Sequence, residues 1–221
     1  VTTTVDNAPF DYDALARTEP ATDPFRWALV RGMLPGALGT RLAEEFPTEG
    51  FTLTERATGT GGKGYSTRNL KLVERSEPVP AALESLTPRW RGVIDALLSP
   101  RYRAAVAALS GRDLTGCTVE ARAVRYGAGS WIDPHTDRAD KAVTQTWYFN
   151  SGWLPEWGGA LCILAGPSGD EVVRQVRPDL GESVVLVPSD ASWHSVAAVT
   201  DEARQERQTL LVHFVRPEAA G

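Results

Sequence analysis

The stretch YGAGSWIDPHTD, Tyr126 to Asp137, decides how this chain is read. It follows an apolar run that alternates with period two, breaks at Gly127 and Gly129, and ends in His135-Thr136-Asp137. On a strand that finishes at His135, side chains two apart share a face, so His135 and Asp137 aim at one point while Thr136 turns away. A second histidine, His194, stands later in the strand-like run Ser192-Trp193-His194-Ser195-Val196. Two imidazoles and one carboxylate can take one face of an octahedral metal and leave three positions open, the arrangement that suits non-haem Fe(II). Arg207 opens the last apolar run and offers a planar fork for a carboxylate.

Each part alone has an ordinary alternative. His135 can cap a strand, Asp137 can make an Asx turn before Arg138, and His194 can be a half-buried strand histidine. What changes the reading is the order: H-x-D early, His late, arginine on the last strand.

Working outward, the chain after Gly111 alternates in short runs at about 117 to 126, 130 to 135, 143 to 150, 159 to 164, 171 to 177, 182 to 187, 194 to 199 and 207 to 215. Eight short strands at this spacing are what a double-sheet jelly roll needs. On the run 143 to 150, Thr144, Thr146, Tyr148 and Asn150 share one face, while Trp147 and Phe149 face an apolar layer. Before Gly111 the signals are mostly helical. Residues 26 to 30 form a short strand, and a helix after Pro35 carries Leu38, Leu42 and Phe46 on one face. Thr87-Pro88 and Ser99-Pro100 are N-cap and N1 pairs for two more helices. The expected architecture is α+β in a single domain over 1–221: an extended arm over 1–24, helical support and a loop over 25–115, and a jelly-roll core over 116–216.

Composition narrows the classes. With 221 residues and 42% of them hydrophobic, the chain can bury one sizeable core. A net charge of −5 provides no basic field for nucleic acid. Cys117 and Cys162 form no framework and read as buried free thiols. The first thirty residues carry five acidic side chains and no apolar h-region, and no apolar run is long enough to span a bilayer, so a soluble cytoplasmic protein is expected. The glycine-rich run 57 to 64 fails as a phosphate loop, because Lys63 is followed by Gly64 and not by Ser or Thr. Residues 50 to 72 read either as a lid hinged at Gly59, Gly61, Gly62 and Gly64 or as a disordered connection.

The flanking residues sharpen the reading. Residues 126–137, then Trp147-Tyr148-Phe149-Asn150 with Gly158-Gly159-Ala160-Leu161, then 189–196, then Arg207-Gln208-Thr209-Leu210-Leu211-Val212-His213-Phe214 resemble the Fe(II)/2-oxoglutarate-dependent dioxygenases, in their prolyl-4-hydroxylase-like branch. The resemblance covers roughly residues 25 to 216 and implies a double-stranded β-helix, cupin-like core. It implies that His135, Asp137 and His194 bind Fe(II), that Arg207 holds the distal carboxylate of 2-oxoglutarate, and that Tyr148 and Tyr126 assist it. The co-substrates are then 2-oxoglutarate and O2, with ascorbate allowed for as an accessory. A carboxylate at 137, where halogenating relatives have a small residue, favours hydroxylation, with desaturation or ring formation open to the same chemistry. Arg204 is an alternative clamp three residues before Arg207. Arg122, Trp131, His213, Tyr65 and Arg68 are candidates for substrate contact, with a solvated strand edge as the alternative for Arg122. The expected partner is a small molecule, not nucleic acid or membrane, and the protein is expected as a monomer or homodimer. A protein hydroxylase, a non-catalytic 2-oxoglutarate sensor and a structural zinc site are the competing readings.

Overall fold

Alternating residues on four neighbouring strands separate two apolar clusters, one on each face of a curled antiparallel sheet. The computed structural model describes residues 9–59 and 62–217. In chain order its elements are α1 (Tyr12–Arg17), β1 (Trp27–Arg31), α2 (Gly36–Glu44), β2 (Thr52–Arg56), β3 (Tyr65–Glu74), β4 (Glu77–Pro78), α3 (Pro80–Ser85), α4 (Pro88–Leu97), α5 (Pro100–Ser110), β5 (Thr118–Tyr126), β6 (Ile132–His135) and β7 (Lys141–Tyr148). A 3-10 turn at Pro155–Trp157 precedes β8 (Leu161–Leu164), β9 (Val172–Val176), β10 (Glu182–Leu186), β11 (His194–Val196) and β12 (Arg207–Val215).

The strands run in the order β1-β10-β7-β12-β5-β3-β6-β11-β8-β9. The first six make a broad layer, and the last four fold over it, joined at the pair Tyr65↔Ile132. Ala123, Trp147, Leu210 and Val212 face outward and are covered by the helices. Val124, Tyr126, Tyr148 and Leu211 face the mouth between the layers, where the second cluster lies. This is the half-barrel expected of a jelly-roll core, and all eight expected strands are present near their expected places.

Side-chain caps start the two middle helices where the sequence placed them: Thr87 accepts from the Trp90 amide and Ser99 from the Tyr102 amide, each with proline at N1. Trp90 is fully buried, donates its indole N–H to the Leu42 carbonyl at 3.1 Å, and packs on Phe149 at 5.1 Å between ring centroids. Tyr102 reaches through to the sheet and donates to Gln145 Oε1 at 2.7 Å, whose Nε2 donates to Ser183. Both cysteines are free and buried. Among the described residues no helix is long and apolar enough to cross a membrane.

Two expectations need correction. The arm is not extended throughout: Asp11 caps α1, which buries Tyr12, Ala14 and Leu15 against α5, while residues 1–8 lie outside the described residues. Residues 50 to 72 are not all loop, because their described part is largely strand. β2 and β3 form a hairpin, and β3 pairs with β5 in the main sheet, leaving 57–64 as the connection. Of the proposed hinge glycines, Gly61 lies outside the described residues.

Replacing Trp90 by alanine is expected to cost about 3–5 kcal/mol of stability, since it empties a fully buried aromatic site and orphans the Leu42 carbonyl. Chemical denaturation followed by far-UV circular dichroism measures it.

Candidate active site

β6 and β11 are antiparallel neighbours with His135 opposite His194, so two strand ends bring the imidazoles together, 4.2 Å between ring centroids. Both rings are oriented in the same way. His135 Nδ1 bonds the Asp133 carbonyl and His194 Nδ1 the Ser192 carbonyl, each two residues back and each at 2.9 Å. A carbonyl can only accept, so Nδ1 carries the proton and Nε2 presents its lone pair. Burial lowers both rings from the usual imidazole range, far for His135, where His194 adds to the effect, and this favours the neutral form of each.

Asp137 lies just past the strand and completes a group whose ligand atoms are within 4.8 Å of one another. Its Oδ1 accepts from Lys141 Nζ and its Oδ2 from Thr144 Oγ1, both at 2.7 Å. Burial raises its pKa, but the Lys141 ammonium beside it outweighs that and holds the carboxyl well below its ordinary range. The Thr144 hydroxyl proton is committed to Asp137, so the 2.9 Å contact with His213 is donated by His213 Nδ1. His213 is thereby part of the shell that orients the carboxylate. Two neutral imidazoles and one ionised carboxylate form a donor set for a divalent metal with open positions.

A second feature lies deeper in the mouth. Arg207 is 1% exposed, and among the described residues none of its three nitrogens has a hydrogen-bond partner. The Tyr148 hydroxyl and Thr209 Oγ1 are likewise buried and unpartnered. The guanidinium lies 4.4 Å from the Tyr126 ring centroid and 5.3 Å from that of Tyr148. A buried charge with unmade hydrogen bonds costs several kcal/mol, so this pocket is built for an anion that fills the fork. Its backbone is fixed from both sides: Asn150 donates to the Glu206 carbonyl at 2.8 Å and accepts from the Gln208 amide at 2.7 Å. Gly159 keeps the approach open, because a Cβ there would meet Arg207 Cδ at 3.2 Å. Arg204, the alternative clamp, is exposed.

The remaining candidates divide. Arg122 shares the inner face of β5 with Val124 and Tyr126. Trp131 donates its indole to Asp133 Oδ1 at 2.8 Å, beside the metal group. Tyr65 pairs with Ile132 and has Arg56 over its ring at 5.8 Å. Arg68 does not join the site: it pairs with Arg125 on the outer face and reaches Glu206. Sequence reasoning missed Lys63, Lys141, Thr144, Asp133 and Asn150. Lysine count held a clue, for two of the three lysines of the chain stand here, Lys63 and Lys141. Burial, then Lys141, lowers the Lys63 ammonium to about 8.

A curled half-barrel with this donor set at one end of its mouth and a buried cationic fork inside suits a non-haem iron oxygenase. Residues 121–215 match the family model described as the 2OG-Fe(II) oxygenase superfamily. That part of the chain is similar to this superfamily, which implies Fe(II), 2-oxoglutarate and O2, and the His135, Asp137 and His194 group fits the iron. No curated protein matches the chain in sequence. Among solved structures it resembles a Pseudomonas putida prolyl-4-hydroxylase, with 22% identity, TM-score 0.57, and coverage of 93% of this chain and 97% of that one. A 2OG-Fe(II) oxygenase family oxidoreductase from Burkholderia pseudomallei gives 15% identity and TM-score 0.58, covering 86% and 85%. A Trichoplax adhaerens prolyl hydroxylase in complex with a hypoxia inducible factor oxygen degradation domain peptide fragment gives 16% and 0.54, covering 86% and 83%. At these identities the likeness establishes the shared fold.

Asn150→Leu is expected to weaken 2-oxoglutarate binding about tenfold, equivalent to about 1.4 kcal/mol, by releasing the backbone on both sides of Arg207. Anaerobic calorimetry checks this, with metal affinity held to the wild-type value as the control.

Proposed function

We propose that the protein hydroxylates an unactivated C–H bond of a small-molecule or amino-acid-derived substrate, in a cytoplasmic biosynthetic setting. The observation that carries this reading is the unpartnered fork of Arg207, Tyr148 and Thr209 beside a His-Asp-His metal group. His135, Asp137 and His194 hold the iron. Arg207 receives the distal carboxylate of 2-oxoglutarate, Tyr148 and Thr209 donate their hydroxyls to it, and Tyr126 supports the guanidinium from its ring face. When bound, the iron and its co-substrates supply the oxidising power, and 2-oxoglutarate leaves as succinate and CO2.

The protein's own share is positional. The backbone carbonyls of Asp133 and Ser192 fix which imidazole nitrogen faces the metal. Thr144 and Lys141 hold the Asp137 carboxylate ionised and oriented, and the apolar walls of Val196, Ile163 and Leu161 exclude water from the mouth.

Support for a small substrate comes from Thr58 and Gly64, which Asp133 ties down beside the metal group, each at 2.7 Å. A protein substrate is the second reading, favoured by the peptide-bound relative from Trichoplax adhaerens. An extended groove that admits an intact polypeptide, with peptide turnover exceeding that of free amino acids, would establish it instead.

The test is anaerobic binding of Fe(II) and 2-oxoglutarate, followed by admission of oxygen and quantification of succinate with and without a metabolite library. Succinate that rises with one compound supports the hydroxylase; tight 2-oxoglutarate binding with no succinate under any condition supports a sensor. Asp137→Ala is expected to abolish hydroxylation and weaken metal binding, and Arg207→Leu to raise the Kd of 2-oxoglutarate about a hundredfold, or about 2.7 kcal/mol. Normal hydroxylation by a folded Asp137→Ala variant removes Asp137 from the ligand set.

A further inference from the structure

The mouth holds more positive charge than its own carboxylates neutralise. Asp137 is engaged on both oxygens by Lys141 and Thr144. Asp133 is engaged on both as well, accepting from Trp131 on one and from Thr58 and Gly64 on the other. Glu120 shares the inner face of β5, and its charge acts on Arg138. That leaves Lys63 and Arg122. Both are half-buried, and among the described residues neither makes a hydrogen bond or an ion pair. Lys63 adjoins Gly64, which is bonded to Asp133 two residues before His135, and Arg122 lies on the inner face of β5 two residues from Glu120, the partner of His213; the charge of Arg122 reaches Lys63.

Neither cation is there by default. Lys63 precedes Gly64, whose amide donates to Asp133 Oδ2 at 2.7 Å and whose carbonyl accepts from the Asp133 amide at 2.9 Å. Only glycine fits at 64, because a Cβ would come within 2.5 Å of that same carboxylate oxygen. The turn is therefore locked, and it fixes Lys63 in the chain next to the Asp133 contact, two residues from His135. Arg122 is set by register in the middle of β5, opposite Leu211.

This pair is separate from the 2-oxoglutarate fork. Tyr126 is opposite Arg207 and Arg122 opposite Leu211, so four residues of strand separate the two levels, about 13 Å along the strand. Two partly desolvated cations side by side repel unless an anion comes between them.

We propose that the substrate carries an oxyanion, a carboxylate or a phosphate, received by Lys63 and Arg122 beside the metal group. This rests on the dioxygenase reading above and adds the substrate class to it. The oxidised carbon then lies at a fixed distance from the acidic group, set by the span from these cations to the iron ligands.

The test uses the full chain loaded with Fe(II) and 2-oxoglutarate, and matched pairs of probes: free L-amino acids and short carboxylic acids against their primary amides, and phosphate monoesters against the parent alcohols. Binding is measured anaerobically by calorimetry, and succinate after oxygen is admitted. The expected result is that at least one acid binds and raises succinate while its neutral partner does so about tenfold less or not at all. Lys63→Met and Arg122→Met should each weaken that acid about tenfold or more, with Lys63→Arg restoring it and so separating charge from folding. Carboxylate pairs and phosphate pairs tell which oxyanion is taken. The proposal is overturned if neutral partners act as well as the acids, or if no pair discriminates while succinate still forms slowly from 2-oxoglutarate alone; the dioxygenase reading survives both results. It is overturned too if the Met variants weaken 2-oxoglutarate and not the probe. Absence of both 2-oxoglutarate binding and succinate takes down the dioxygenase reading with it.

Discussion

The register of β12 between β5 and β7 is the constraint on which the rest of the site depends. It places Arg207 opposite Tyr126, Thr209 opposite Tyr148, and His213 opposite Thr144. One strand thus supplies the cationic fork at one end and, through His213 and Thr144, the orientation of Asp137 at the other. Side chains alternate with a period of two, so a slip of one residue would turn Arg207 to the helices and bring Leu210 and Val212 into the mouth. Burial of those residues against the helical layer is what makes the slip costly. The apolar packing on the outer face therefore holds the polar chemistry of the inner face in register.

Charge is handled in two contrasting ways inside that frame. Asp137, which must stay ionised to serve a metal, is saturated with donors. Arg207, Tyr148 and Thr209 are left without a hydrogen-bond acceptor among the described residues. A fold gains nothing for its own stability from the second arrangement. Its retention in a fully packed interior makes sense only in terms of a ligand that completes it.

Much of this was legible in the amino-acid order. The eight core strands show as alternation because one face of each is apolar, and the two prolines after Thr87 and Ser99 mark helix starts by local chemistry alone. His135, Asp137, His194 and Arg207 were legible from order and spacing, which short strands convert directly into proximity. Three elements were not. α1 is six residues long, too short for a period, and is held by tertiary packing. β2 is exposed along its whole length and so carries no alternation, and the glycines after it concealed β3. Locally, Lys63 matches only a failed phosphate-loop pattern; its position one residue from the Asp133 tether follows from a hairpin pairing that no local pattern encodes. Arg68 failed for the converse reason, since parity on a strand that went unrecognised could not be counted.

Asp133 has a role that reaches past the geometry already described. Its carbonyl orients a metal-binding histidine, while its carboxylate anchors the connection that carries Lys63. The connection that carries Lys63 and the strand that carries His135 are thereby tied at a single residue. Specificity in such a scaffold can diversify by changing what residues 59 to 63 present, provided Thr58 and Gly64 remain as the two ends of the tether. With Thr58 and Gly64 both held by the Asp133 carboxylate, side chains between them can change without altering the carbonyl that orients His135.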